Sequence, residues 1–287
     1  MIGSASLRGA AWMTLAALMY TVTGAVVRHL ADTYSVFEVG LFRSIVAVAV
    51  LLPLATGFSL KRVRDALATD RFSIHLLRSV LAYAGIMCWF YGVSRIPMSD
   101  YYALQFLTPL FTMAGAALLL GEATRPANWL AVLVGFGGAM VIIRPGLIEV
   151  GTGTLAAVGA ALLFASVNNT VRVLSRTESA MTIVAYGNLI LIPLSLIPAI
   201  PEWITPGWDD LPWLCCVGVT ATVAQFAITR AVATAEARII QPLDFVRLPF
   251  AAALGWIAFG EGSDLWTWVG AAIIFAAASY VLRMERR

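Results

Sequence analysis

Two ionisable side chains stand where a lipid bilayer would meet the chain. Asp244 and Arg247, with Gln241 just before them, lie in the first half of the run Arg238–Glu261, RIIQPLDFVRLPFAAALGWIAFGE. Roughly 21 residues of this run are apolar-dominated, enough to cross a hydrocarbon core as a helix. A charged side chain at mid-membrane costs roughly 2.5–3.5 kcal/mol on insertion scales. Charges three residues apart share a helical face, so Asp244 and Arg247 need a partner, a neighbouring helix or a wet cavity. Two readings are open: the pair binds itself and locks helix packing, or its face lines a path for solute. The adjacent Pro242 and Pro249 favour the path, because interrupted helices at membrane depth border protein or a cavity.

Other polar side chains fall at similar depth. Thr21, beside Tyr20 and Thr23, fits close helix packing or a cavity wall. Tyr83 and Phe90 are two helical turns apart on one face, a packing seam or an aromatic wall. Gln105, Gln225 and the pair Asn168–Asn169 need hydrogen-bond partners if buried, so they bridge helices or touch substrate. Arg43 sits about six residues inside its span, within reach of snorkelling to the interface. Cys88, Cys215 and Cys216 lack metal spacing and read as packing residues. The chain has no HExxH, no paired membrane-depth aspartates and no Ser/His pairing, so the reading is not an enzyme. Neither a cofactor nor a metal is expected.

The elements that must position these residues follow from composition. The chain is 60% hydrophobic and 12% charged, about half the charge of an ordinary soluble domain. Apolar runs recur at about 9–30, 38–56, 73–94, 101–120, 127–144, 152–174, 181–199, 211–232, 239–259 and 265–283, a polytopic all-α membrane protein of ten transmembrane helices. The first run has no cleavage signature and reads as a retained helix. Of the 19 Lys and Arg residues, 14 fall on one side, 3 (Arg28, Arg95 and Arg144) on the other, and Arg43 and Arg247 within spans. That bias places both termini in the cytoplasm. The basic stretch Gly57–Phe72 fits a helix lying on the anionic inner leaflet, and Trp203, Trp208 and Trp213 an outer aromatic belt. The partners expected are the lipid bilayer and a small-molecule substrate, with no nucleic acid, and the chain is expected to act as a monomer.

An internal repeat sets the architecture. Arg28 recurs as Arg172 and Phe42 as Tyr186, each 144 residues on. FLTPLFTMAGAALLLGEATRPANW recurs loosely as FVRLPFAAALGWIAFGEGSDLWTW, with Gly121-Glu122 matching Gly260-Glu261 at an offset of 139. Two five-helix halves follow, residues 1–146 and 151–287. Five is odd, so the second half enters the membrane from the opposite side. Inverted repeats around a central cavity are a construction of secondary transporters. Arg43 is answered by Gly187, and the counterparts of Asp244 and Arg247 are uncharged. What one half does without, the fold does not demand.

These residues resemble the drug/metabolite transporter superfamily, in particular its ten-helix EamA-type members. The pattern of proline, apolar helix, then Gly-Glu stands at Pro109–Glu122 and again at Pro249–Glu261. The resemblance covers nearly the whole chain and implies a bacterial inner-membrane exporter of amino acids, aromatic ones favoured, or of another small metabolite or xenobiotic. It implies a central cavity whose substrate-binding candidates are Thr21, Tyr83, Gln105, Asn168, Asn169, Gln225, Asp244 and Arg247. In a zwitterion, the carboxylate would meet Arg247 or an amide and the ammonium Asp244 or freed carbonyls.

Overall fold

The computed structural model describes residues 4–56, 69–121, 126–144, 150–234 and 241–284. Among them, all regular structure is helical. The elements are α1 (Ser4–Leu30), α2 (Val36–Thr56), α3 (Phe72–Arg95), α4 (Met98–Gln105), α5 (Thr108–Leu119), α6 (Pro126–Ile143), α7 (Thr152–Leu174), α8 (Ala180–Ala199), α9 (Leu211–Thr234), α10 (Arg247–Phe259) and α11 (Leu265–Met284), with 3-10 turns at Ile200–Glu202 and Gln241–Val246. Among the described residues, six stretches are long and apolar enough to cross a membrane: Leu7–Leu30, Phe72–Arg95, Met98–Leu119, Thr152–Leu174, Thr182–Glu202 and Leu211–Ile228. Trp129–Ile143 and Leu265–Ala277 are apolar but shorter. Large apolar side chains such as Leu119, Trp256 and Ile257 are exposed on the outside of the bundle, where water would penalise them and lipid does not. This is a multi-pass membrane protein. Residues 57–68 of the basic stretch, and Glu122 of the first Gly-Glu, lie outside the described residues.

Both Gly-Glu runs begin with an interrupted helix. The first breaks at Phe106–Leu107, between α4 and α5, with Pro109 in the opening turn of α5. The second runs as a 3-10 turn through Val246 and becomes α-helix at Arg247, with Pro249 in that first turn. Proline lacks an N–H, and a first turn leaves its N–H groups unbonded within the helix, so the residue fits there at little cost. Each run also ends alike, on glycine in the left-handed region, Gly121 at φ 67° and Gly260 at φ 68°, where a side chain would be strained.

The packing is reciprocal between the two halves. α1 lies along α9, and α7, its repeat mate, lies along α3. α2 meets α9 as α8 meets α3; α10 meets α1 as α5 meets α7; α6 packs on α11 and α2 on α8. The buried core sits where these pairs converge, around Phe90, Met98, Tyr101, Tyr102, Leu104, Leu107 and Leu110. The α6–α11 crossing depends on two glycines: a Cβ on Gly270 would come 2.5 Å from the Gly138 carbonyl oxygen, and one on Gly138 2.9 Å from that of Gly270. Gly270→Val is therefore expected to lower the thermal midpoint of the detergent-purified protein, since over-packing costs ~1–3 kcal/mol. Gly137→Val, whose Cβ would meet open space, serves as the control and should leave the midpoint unchanged.

Candidate functional site

At the centre, the two interrupted runs meet through phenylalanine. Phe106, at the α4–α5 break, stacks on Phe245 of the 3-10 turn with centroids 3.8 Å apart and planes 15° from parallel. Phe275 of α11 closes edge-on against Phe245 at 3.9 Å. Phe106 and Phe245 are the opening residues of the two similar Gly-Glu runs, 139 residues apart. Beside it, Tyr20 of α1 stands edge-on to Trp89 of α3, 6.4 Å between centroids. Its hydroxyl donates to Gln225 Oε1 at 3.0 Å, and the Tyr102 hydroxyl donates to its carbonyl at 2.7 Å. The Arg247 guanidinium lies over the Tyr20 ring, 5.0 Å from its centre, a cation–π contact strengthened by exclusion of water.

Asp244 and Arg247 bind each other across the junction from 3-10 turn to α10, Nη2 to Oδ1 2.5 Å. Arg43 does not snorkel free: its Nε and Nη1 are buried and have no acceptor among the described residues. Its stem lies about 10 Å along α2 from Val36.

Of the candidates, Gln225, Asp244 and Arg247 come together around Tyr20. The others are spread along the bundle. Thr21 is fully buried and donates to the Ala17 carbonyl of its own helix at 2.7 Å, which is packing. Gln105 ties α4 to α7 through the Ala157 carbonyl at 2.8 Å. Asn169 donates to the Thr112 carbonyl at 3.2 Å and Asn168, exposed, to Thr112 Oγ1 at 3.4 Å, joining α7 to α5. Tyr83 holds its hydroxyl buried with no partner among the described residues. Tyr20, Phe106 and Phe245 escaped the residue-by-residue reading because aromatics in apolar spans carry no polar signal. The aligned opening phenylalanine of the two repeats was the clue available.

One end of the molecule is tied shut by polar contacts. Arg28, ending α1, bonds Glu261 at 2.5 Å and the Ile96 carbonyl at 3.1 Å, with its guanidinium over Phe259 at 4.8 Å. Glu261 also accepts the Met98 N–H at 3.0 Å. Arg144 pairs with Asp264, and Thr267 donates to Asp100 at 2.5 Å. Tyr34 donates to Asp210 at 2.7 Å; that bond, with burial, pushes the phenol above its usual range and keeps it a donor. Glu38, fully buried, accepts the Ile204 N–H at 2.9 Å.

Apolar helices around a polar, aromatic centre, sealed at one end, define a membrane transporter and not an enzyme. The chain belongs to the EamA-like transporter family, whose model matches it twice, over residues 7–144 and 151–283. It is 34% identical to a riboflavin transporter of Vibrio cholerae serotype O1 over 98% of this chain and 95% of that one. A second riboflavin transporter, from Rhizobium johnstonii, is 32% identical over 97% and 92%. An S-adenosylmethionine uptake transporter of Rickettsia prowazekii is 27% identical over 98% and 94%. A solved crystal structure 19% identical superposes over 100% of both chains with a TM-score of 0.64, a likeness of fold alone.

Proposed function

We propose that the protein carries riboflavin, or a flavin close to it, across the bacterial inner membrane by alternating access between two inverted halves, residues 1–146 and 151–287. The observation that carries this reading is the 34% identity, over nearly all of both chains, to a riboflavin transporter. The chemistry of the centre agrees with it. The flavin ring is planar, tricyclic, uncharged at neutral pH and rich in acceptors. Phe106, Phe245, Tyr20 and Trp89 supply aromatic faces, and Gln225 and Arg247 supply N–H donors; stacking of a heteroaromatic base on such side chains is worth roughly 1–3 kcal/mol per base. The unpartnered Tyr83 hydroxyl and the exposed Asn168 offer hydrogen bonds to a hydroxylated tail.

Reciprocal packing of the halves, the matched helix breaks and the double family match support the inverted repeat. The charge bias supports cytoplasmic termini, which makes the Arg28–Glu261 end the outer one. Amino-acid export fits less well. A zwitterion would have to split the Asp244–Arg247 pair, and the relatives named above carry other solutes. A riboflavin-auxotrophic bacterium lacking its own uptake system tests the reading. Expression of this chain should allow growth at flavin concentrations that leave the empty strain static. Equal growth of both strains, with the protein present in the membrane, would refute it.

A further inference from the structure

Besides Arg247, two arginines lie inside the bundle with the same two atoms unsatisfied: Nε and Nη1 of Arg43, and Nε and Nη1 of Arg78. Neither finds an acceptor among the described residues. The internal repeat relates them in an unexpected way. The mate of Arg43 on α8 is Gly187, and the space a side chain there would fill holds the Arg78 guanidinium: a Cβ on Gly187 would come 2.2 Å from Arg78 Nη1. Both guanidiniums thus come from the first half, Arg43 from α2 and Arg78 from α3, the latter filling the space that Gly187 leaves on α8. Arg43 stands seven residues after the start of α2 and Gly187 seven after the start of α8, each about 10 Å in from its helix end.

The fold does not demand a guanidinium at Arg43, because glycine fills the corresponding place at Gly187. Arginine donates through a rigid planar fork and keeps its charge at membrane depth. Buried donors without acceptors are costly unless something supplies them.

We propose that Arg43, on α2, and Arg78, on α3 against Gly187 of α8, are paired stations that donate to the acceptor edge of the substrate's heteroaromatic ring, a carbonyl beside a ring nitrogen. This rests on the flavin reading and assigns the specificity of that site.

The test uses the full-length protein in proteoliposomes, following riboflavin and its 1-deaza and 5-deaza analogues, each of which lacks one ring acceptor. Wild type should move riboflavin at least fivefold faster than one of the analogues at low concentration. Arg43→Met and Arg78→Met should each abolish that preference and lower riboflavin flux about tenfold or more. Gly187→Val, which keeps every charge but evicts Arg78 from its place, should copy Arg78→Met. Lysine at either position should recover flux only in part. Thermal midpoints in detergent check that each variant is folded; if a methionine variant is not, the lysine variants and Gly187→Val decide by the same preference. Unaltered preference in folded variants would overturn the stations. So would a variant effect on flavin mononucleotide alone, which would assign the arginines to phosphate. Absence of riboflavin flux in wild type would instead remove the flavin reading itself, and the stations with it.

Discussion

Replacing Glu261 by Gln is expected to open the sealed end of the molecule and to slow transport while leaving a folded protein. Glu261 holds three elements at once: Arg28 of α1 at 2.5 Å, the Met98 N–H opening α4 at 3.0 Å, and its own helix through Gly260 in the left-handed region. The pair is mostly shielded, with the two side chains 21% and 15% exposed. Removing one partner of a fully buried pair costs ~3–5 kcal/mol; partial solvation reduces that here to about 1–3 kcal/mol. Applied to an equilibrium between two conformations, the shift is about 5–150-fold. A cysteine introduced at Ile96, with Cys88, Cys215 and Cys216 replaced, should then react with a membrane-impermeant maleimide several-fold faster. Arg28→Gln should behave alike, and the exchange Arg28→Glu with Glu261→Arg should recover part of the closure. Unchanged labelling in all three would mean that the ion pair is decoration on an end closed by other contacts.

The second large effect concerns the pair in the ninth run. Arg247→Gln leaves the Asp244 carboxylate without its counter-charge and strips the cation from the Tyr20 face, so riboflavin flux should fall about twentyfold or more, with lowered stability. Asp244→Asn should be milder, because Arg247 keeps the Tyr20 ring under it. The double variant Asp244→Asn with Arg247→Gln separates packing from transport. With no lone charge left, its stability should return to near wild type, while flux stays low for want of the guanidinium. Should the double variant regain flux along with stability, the pair would be a packing device and nothing more.

Much of this was legible in the sequence, for physical reasons. A bilayer imposes long apolar runs and forbids stray charge, so helices and the unusual ninth run stand out. Pro109 and Pro249 located the breaks, since proline tolerates only a few backbone settings, and Gly121 and Gly260 located the turns. The repeat alignment proposed which residues correspond, and the helix pairs that pack are consistent with it. The centre itself was harder to see. Gln105 and Asn169 bond neighbouring helices and Thr21 bonds back to its own, so polarity alone pointed to packing sites as readily as to a chamber. Tyr20, Phe106 and Phe245 look like core in any apolar run. Arg43 was within reach of the interface by length alone, and only the burial of its Nε and Nη1 shows otherwise. The substrate class was least legible, because a mixed aromatic and amide lining suits an amino acid and a flavin ring about equally until Asp244 and Arg247 are seen to be bound to each other.

The most direct test of the central claim is flux of riboflavin into liposomes containing only this protein, followed beside phenylalanine under identical gradients. The account predicts saturable riboflavin entry that excess unlabelled riboflavin suppresses, that falls in Phe245→Ala, and that phenylalanine neither shares nor inhibits. Phenylalanine flux without riboflavin flux would contradict it.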